Sequence, residues 1–220
     1  MDPALFQRVR HSPMGPVLAL LLGTAWPLAF APFGLFPLAI LLPAALLWLW
    51  DGTSPRRAAI TGLAFGLGAF GVGIAWIHIS LHTYGNAPLA FALLATFLVI
   101  LLMALYPALL GWLLNRLLPR PGPLRWLLGA PALAVVLEWV RSWAFSGFPW
   151  LSPGYSQIDG PLGGLAPLAG VFAVGWGVWL SAGLLCMVVG QEGRNRWLAL
   201  AGLVVLWGSA WLLKGIDWTH

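Results

Sequence analysis

The segment APLAFALLATFLVILLMALYPALLGWLL, residues 87–114, decides the fold class of this chain. It contains no charged residue, and it is longer than the roughly 20 residues that an α-helix needs to cross the hydrocarbon core of a bilayer. It also lacks the alternation of apolar and polar residues that is typical of strands in a membrane β-barrel. The segment therefore predicts a transmembrane helix.

The rest of the chain has the same character on both sides of this segment. Of its 220 residues, 60% are hydrophobic and 8% are charged, whereas soluble domains contain about 25% charged residues. Turn-forming Gly, Pro, Asn and Asp residues divide the chain into apolar runs. We therefore predict an all-α fold, a polytopic transmembrane bundle that forms one domain over residues 1–220. It has about seven helices, at 14–31, 36–50, 58–80, 87–114, 124–145, 165–189 and 196–213.

The basic residues predict the orientation of this bundle. Nine of the eleven Lys and Arg residues lie at the N-terminus or in or directly beside alternate breaks between the helices, and such residues favour the cytoplasmic side. They are Arg8, Arg10, Arg56, Arg57, Arg116, Arg120, Arg125, Arg194 and Arg196. The N-terminus is therefore predicted to be cytoplasmic and the C-terminus periplasmic. A re-entrant hairpin formed by the first two helices would instead place the C-terminus in the cytoplasm. Because the basic residues form no stripe, we expect no nucleic acid partner.

The longest break, SGFPWLSPGYSQIDG at 146–160, falls on the predicted outer face together with 31–35 and 81–86. Its aromatic rings alternate with Gly and Pro, and its polar groups are few, which is typical of ligand sites with mostly apolar walls. We expect these breaks to hold a lipid headgroup while acyl chains pass between helices. The alternative is that the aromatic residues only form the belt at the membrane interface. The candidate lining residues are Trp150, Tyr155, Ser156, Gln157, His82 and Tyr84.

Glu138 and Arg141 are the charged residues that fall inside a predicted span. At a spacing of three they share a helix face and can pair, which lowers the cost of placing either charge in the membrane. Two interpretations stay open: the pair braces the bundle and supports the loop, or it binds a ligand headgroup directly.

No catalytic or metal-binding set is predicted within this chain. Cys186 lies among apolar residues without a base that would activate a thiol, and Ser156 is not in a nucleophile elbow. His78 and His82 have the spacing of zinc ligands, but no acidic or cysteine ligand is near them in sequence. We therefore expect no catalytic residue, no metal and no cofactor.

Several sequence blocks together resemble one protein family. In order they are LAFAPFGLFPLA (28–39), AWIHISLHTYGN (75–86), ALYPALLGWLL (104–114), LEWVRSWAFSGFPWLSPGYSQIDGPLGGLAPLAGVFAVG (137–175) and the tail KGIDWTH. They resemble the membrane part of bacterial apolipoprotein N-acyltransferases. The resemblance implies a multi-pass protein of the bacterial inner membrane. Its implied partners are membrane lipid, a phospholipid acyl donor and a diacylated apolipoprotein acceptor, whose N-terminal diacylglyceryl-cysteine receives the acyl group.

The resemblance also implies where the chemistry takes place. In that family a Glu, a Lys and a nucleophilic Cys act in a nitrilase-like hydrolase domain outside the membrane, through a covalent acyl-enzyme. That domain would follow residue 220, so no residue here inherits a catalytic role, and we expect the 220 residues alone to be inactive. A separate hydrolase subunit is one way to complete the enzyme. The alternative function is a non-enzymatic membrane scaffold or a small transporter for an amphiphile.

Overall fold

The computed structural model of the chain describes residues 9–216, which form helices with no β-strand among them. The all-α prediction is therefore confirmed. The helices are α1 (Met14–Ala25), α2 (Leu38–Trp50), α3 (Pro55–Gly73), α4 (Ile77–Tyr84), α5 (Leu89–Leu117), α6 (Ala130–Trp143), α7 (Ala166–Gly190) and α8 (Gly193–Lys214). A π-helical turn, Leu124–Gly129, leads directly into α6.

Helix length separates two groups of helices within the described part of the chain. Four helical segments are long and apolar enough to cross a membrane, at Leu89–Leu117, Leu124–Ser146, Pro161–Gly190 and Gly193–Lys214. A fifth span forms if α3 and α4 act together across their bend. The first two predicted helices are shorter, at Met14–Ala29 and Leu38–Trp50. The chain is thus a multi-pass membrane protein, whereas its orientation stays a prediction.

Several predicted helices are interrupted in the structure, among them the sixth (165–189), whose backbone is non-helical at Ala169 and Gly170. The first becomes a 3-10 turn over Trp26–Ala29, where Pro27 follows its first residue. The third, predicted as continuous over 58–80, ends at Gly73, and the chain continues as α4 at an angle of 49°. Buried Ile74 lies at this bend with a non-helical backbone. Apolar composition continues through the bend, so it gave no sequence signal.

Glycines allow the central helices to approach each other closely. A Cβ atom built on Gly66 of α3 would lie 2.6 Å from the Cα of Ala104 in α5, and one on Gly62 would overlap the carbonyl oxygen of Pro107. On another face of α3, Gly68 packs against the backbone of Leu20 in α1. Small residues are the usual means by which membrane helices come into backbone contact. Helix α3 is therefore the centre of the α1, α3 and α5 group.

The connections place two chemically different ends on the bundle. We call the end at the C-termini of α2, α5 and α7 the basic end. It holds the arginines predicted to be cytoplasmic, except Arg8, which lies outside the described residues. The opposite end, which we call the loop end, holds the break at 144–165 and α4. The regular part of α7, residues 171–190, is about 30 Å long at a rise of 1.5 Å per residue. The two ends are therefore separated by about the thickness of a bilayer core.

A buried polar cluster fixes the basic end. Arg125 donates to Asp51 Oδ1 at 3.0 Å, to the carbonyl of Leu118 at 2.6 Å and to Asn115 Oδ1 at 2.5 Å. Asn115 in turn donates to the carbonyls of Trp50 and Thr53, at 2.8 and 2.9 Å. The cluster therefore ties the turn after α2 to the end of α5 and to the turn before α6.

Candidate functional site

The backbone of the loop after α6 is unusual at three positions. Phe145, Ser146 and Leu151 have φ angles of 53°, 74° and 60°, a region that residues other than Gly rarely adopt. Such conformations persist where the surrounding structure holds them in place. The contacts that hold this loop therefore define the site.

Arg141, near the C-terminus of α6, is the main contact that holds the loop. Its Nη1 donates to the carbonyls of Phe148 and Trp150, at 3.2 and 2.7 Å, and its Nη2 donates to Ser152 Oγ at 2.8 Å. The same Nη2 lies 2.9 Å from Glu138 Oε1, so the ion pair predicted from the spacing is present. The Arg141 side chain is 3% exposed and the Glu138 side chain 21%. A single guanidinium thus binds three residues of the loop and a carboxylate on its own helix.

Contacts from α1 and α3 hold the loop from the other side. The indole Nε1 of buried Trp26 donates to the carbonyl of Leu151 at 3.2 Å. Gly73, the last residue of α3, packs against the Leu151 side chain so closely that a Cβ atom there would overlap it. Leu151 is thus enclosed on its side-chain and carbonyl sides, which explains how it keeps a positive φ.

Trp150 and Tyr155, both candidate lining residues, are partly exposed at the loop end. Trp150 is 48% exposed, and its ring centroid lies 5.5 Å from that of Trp76, just before α4. Tyr155 is 44% exposed and lies in a 3-10 turn, Pro153–Gln157. These rings present exposed apolar surface and, for Tyr155, a hydroxyl, at the loop end of the bundle.

Ser156 and Gln157, although predicted as lining, are buried within the bundle. Ser156 Oγ donates to the carbonyl of Pro153 at 2.6 Å. Gln157 Nε2 donates to Ser156 Oγ at 2.9 Å and to the carbonyl of Phe36 at 3.3 Å. Gln157 Oε1 is buried and has no hydrogen-bond partner among the described residues. Ser156 therefore closes the 3-10 turn on itself, and Gln157 ties that turn to the segment before α2.

His82 and Tyr84 lie in α4, at the same end of the bundle as the loop. The Nδ1 atom of His82 is 2.8 Å from the carbonyl oxygen of Ala87, so its contact is local. Tyr84 is 82% exposed. Trp150 thus contacts Trp76, which directly precedes α4. Tyr84, by contrast, is exposed.

A narrow cavity of about 70 Å³ lies beneath the loop. Its walls are mostly apolar, from Trp26, Phe70, Tyr106 and Leu151, with the Glu138 and Arg141 side chains as polar members. Arg141 also lies over the Phe70 ring, at 5.7 Å from its centroid. A space of this size holds a few water molecules, so the cavity can hydrate the ion pair but does not enclose an amphiphile.

Comparison with known proteins decides the family. The family model described as the apolipoprotein N-acyltransferase N-terminal domain matches residues 22–184. This chain belongs to that family. A relative named apolipoprotein N-acyltransferase from Vibrio cholerae is 41% identical over 208 residues, which cover 94% of this chain and 41% of the relative. Relatives of the same name from Methylococcus capsulatus and Azotobacter vinelandii are each 45% identical, over 93% of this chain and 40% of their own length. The chain thus spans about two fifths of the length of these apolipoprotein N-acyltransferases.

The one cysteine of this N-acyltransferase family member lies far from the loop. Cys186 is near the C-terminus of α7, at the basic end, and its Sγ donates to the carbonyl of Ala44 at 3.4 Å. A helix N-terminus favours a thiolate, whereas the helix C-terminus near Cys186 has the opposite polarity. Its surroundings therefore agree with the interpretation that Cys186 is a packing residue.

Trp26 and Trp76 contact the loop of this N-acyltransferase domain, but sequence reasoning did not select them. Both are aromatic residues at the outer ends of predicted helices, and the chain contains 15 Trp in total. An interfacial aromatic belt explains such positions equally well. The contacts depend on how α1, α3 and the loop pack together, and no sequence spacing encodes that arrangement.

Proposed function

We propose that this chain is the membrane part of an enzyme that transfers a fatty acyl group from a phospholipid to the N-terminal diacylglyceryl-cysteine of lipoproteins, a step of lipoprotein maturation. The observation that carries the proposal is the match of nearly the whole chain to proteins named apolipoprotein N-acyltransferase. The proposed location is the bacterial inner membrane, with the basic end in the cytoplasm, in accordance with the positive-inside rule.

In this proposal the chain supplies binding and position, and another part of the enzyme supplies the chemistry. A nitrilase-like hydrolase domain, joined after residue 220 or present as a separate subunit, carries the Glu, the Lys and the nucleophilic Cys. Covalent catalysis by a thioester divides one difficult acyl transfer into two easier ones. The loop end is then the floor on which both substrates are held below that domain.

The geometry of the loop gives each proposed role a physical basis. Trp150 and Tyr155 guide the phospholipid acyl chain and then the lipoprotein substrate, because their rings are exposed. Ser156 and Gln157 set the position of Tyr155 from within the bundle, and His82 and Tyr84 extend the polar surface along α4. Glu138 and Arg141 hold the loop through the hydrogen bonds of Arg141. The cavity beneath the loop, at about 70 Å³, is too narrow for an amphiphile, so it does not support a transporter function.

A chimeric enzyme tests this proposal. Residues 1–220 replace the matching part of the Vibrio cholerae relative, and the chimera is purified and incubated with phospholipid vesicles and a diacylated lipopeptide. We expect N-acylation of the peptide, detected by mass spectrometry. We also expect Trp150→Ala to lower kcat/KM by about tenfold at unchanged protein level, since loss of a positioning contact of about 1.4 kcal/mol has that effect.

Trp143→Ala is the matched control for this experiment. Trp143 is another aromatic residue at the same end of the bundle, 55% exposed, and its ring pairs with Trp139 on its own helix. We expect its replacement to leave turnover unchanged. Equal activity of the Trp150 and Trp143 variants would identify Trp150 as a belt residue. N-acylation by residues 1–220 alone would contradict the assignment of catalysis to a separate hydrolase domain.

A further inference from the structure

A second cavity lies between α2 and α7 and reaches the basic end of the bundle, where both helices end. Its volume is about 550 Å³. Apolar side chains of α2 and α7 form most of its wall, and Arg10 and Asp51 lie at its polar end. The lining residues are Arg10, Leu41, Ala44, Ala45, Trp48, Asp51, Leu185, Cys186, Val189 and Gly190.

Arg10 provides a cation that is held in place at this cavity. Its guanidinium lies over the Trp48 ring, 4.4 Å from the centroid, and its Nε is buried without a hydrogen-bond partner among the described residues. Arg57 fixes the backbone of this segment, because its Nε donates to the carbonyl of Arg10 at 2.6 Å and its Nη2 donates to that of Ser12. Burial lowers the pKa of Arg10, the expected result of removing a cation from water.

Asp51, the acidic group in the cavity, is already occupied by other donors. Its Oδ1 accepts from Arg125 Nε at 3.0 Å and lies 3.4 Å from Trp126 Nε1. Burial raises the pKa of Asp51, and the charge of Arg125 acts in the opposite direction. Arg10 and Arg125 both attract the Asp51 carboxylate. These two cations and one anion leave a net positive charge beside the cavity, so the cavity favours an anion.

We propose that this cavity binds an anionic phospholipid, with its phosphate at Arg10 and one acyl chain along the apolar walls of α2 and α7. A small free anion bound at Arg10 would not contact the apolar wall formed by Leu41, Leu185 and Val189. An uncharged acyl chain would leave the Arg10 Nε without an acceptor. A phospholipid satisfies both, since charge-assisted hydrogen bonds to phosphate are strong and burial of each methylene group is favourable. The site is distinct from the loop end, and binding there steadies the contact between α2 and α7.

Native mass spectrometry of the purified chain tests this proposal. Phosphatidylglycerol is titrated in detergent against phosphatidylcholine and diacylglycerol with the same acyl chains. We expect the chain to retain one phosphatidylglycerol in preference to the other two. We expect Arg10→Gln to weaken its binding by about tenfold. The variant Ala45→Phe, which fills the cavity and keeps the charge of Arg10, is expected to have a similar effect.

Arg56→Gln is the matched control, since Arg56 is exposed at the same end and does not line the cavity. Cys186 gives a second measurement, because it is the one cysteine of the chain and lines the cavity. We expect phosphatidylglycerol to slow its alkylation by N-ethylmaleimide several-fold in the unmodified chain and not in Ala45→Phe. Equal retention by Arg10→Gln and Arg56→Gln would overturn the proposal. Protection of Cys186 by inorganic phosphate as strong as that by the lipid would also overturn it, in favour of a free anion.

Discussion

At the scale of single residues, Arg141 shows how one buried charge organises the loop. Its partner Glu138 was predictable, because a spacing of three places both side chains on one helix face. Its bonds to Phe148, Trp150 and Ser152 were not, since they depend on the positive φ angles of the loop backbone. The interactions of Arg141 therefore combine a local ion pair with tertiary hydrogen bonds to the loop, and mutation separates their contributions.

Replacement of Arg141 is expected to be costly. Arg141→Ala leaves Glu138 and two loop carbonyls without their donor, and removal of one partner from a buried ion pair costs about 3 kcal/mol. We expect the free energy of unfolding in mixed micelles, followed by Trp fluorescence during denaturant titration, to fall by about that amount. Glu138→Gln keeps an oxygen acceptor for Nη2 and should cost about 1 kcal/mol. Equal losses in the two variants would show that the bonds to the loop contribute little.

At the scale of helices, the packing of α3 on α5 depends on backbone contact at glycine. Gly66→Ala would place a Cβ atom 2.6 Å from the Cα of Ala104, and such overpacking costs about 1–3 kcal/mol. We expect a loss of that size in the free energy of unfolding, measured in the same micelles. Gly71→Ala, in the same helix, meets nothing within 4 Å and should stabilise by up to about 1 kcal/mol. Destabilisation of both variants to the same extent would contradict a specific contact at Gly66.

Apolar runs and turn residues were sufficient to place most helices in the sequence. The predicted segment 87–114 corresponds to Leu89–Leu117, and 165–189 corresponds to Ala166–Gly190. The bend after Gly73 was missed because Ile74 is as apolar as its neighbours and is buried by tertiary packing. For the same reason, sequence reasoning selected Ser156 and Gln157 as polar groups of the loop but did not foresee that both are buried. Composition predicts which residues avoid water, but not which neighbours they contact.

At the scale of the whole molecule, the two ends of the bundle have different chemistry. The loop end carries exposed aromatic residues above an ion pair, whereas the basic end carries arginines around a buried polar cluster and a larger cavity. Buried polar groups at both ends are largely satisfied within the described residues, as expected where water is scarce. The fold therefore offers two separate lipid-facing sites, one proposed to serve acyl transfer and one proposed to hold a lipid of the opposite leaflet.

This assignment depends on orientation, which cysteine labelling in cells can measure. In a Cys186→Ser background, Asp159→Cys places a thiol at the loop end and Arg120→Cys places one at the basic end; both positions are exposed. Because basic residues favour the cytoplasmic side, we expect a membrane-impermeant maleimide to label Asp159→Cys in spheroplasts and to label Arg120→Cys only after lysis. The reverse pattern would contradict the predicted orientation and place the loop in the cytoplasm. Labelling of both positions before lysis would contradict the span between them, since the structure separates these positions by the length of α6.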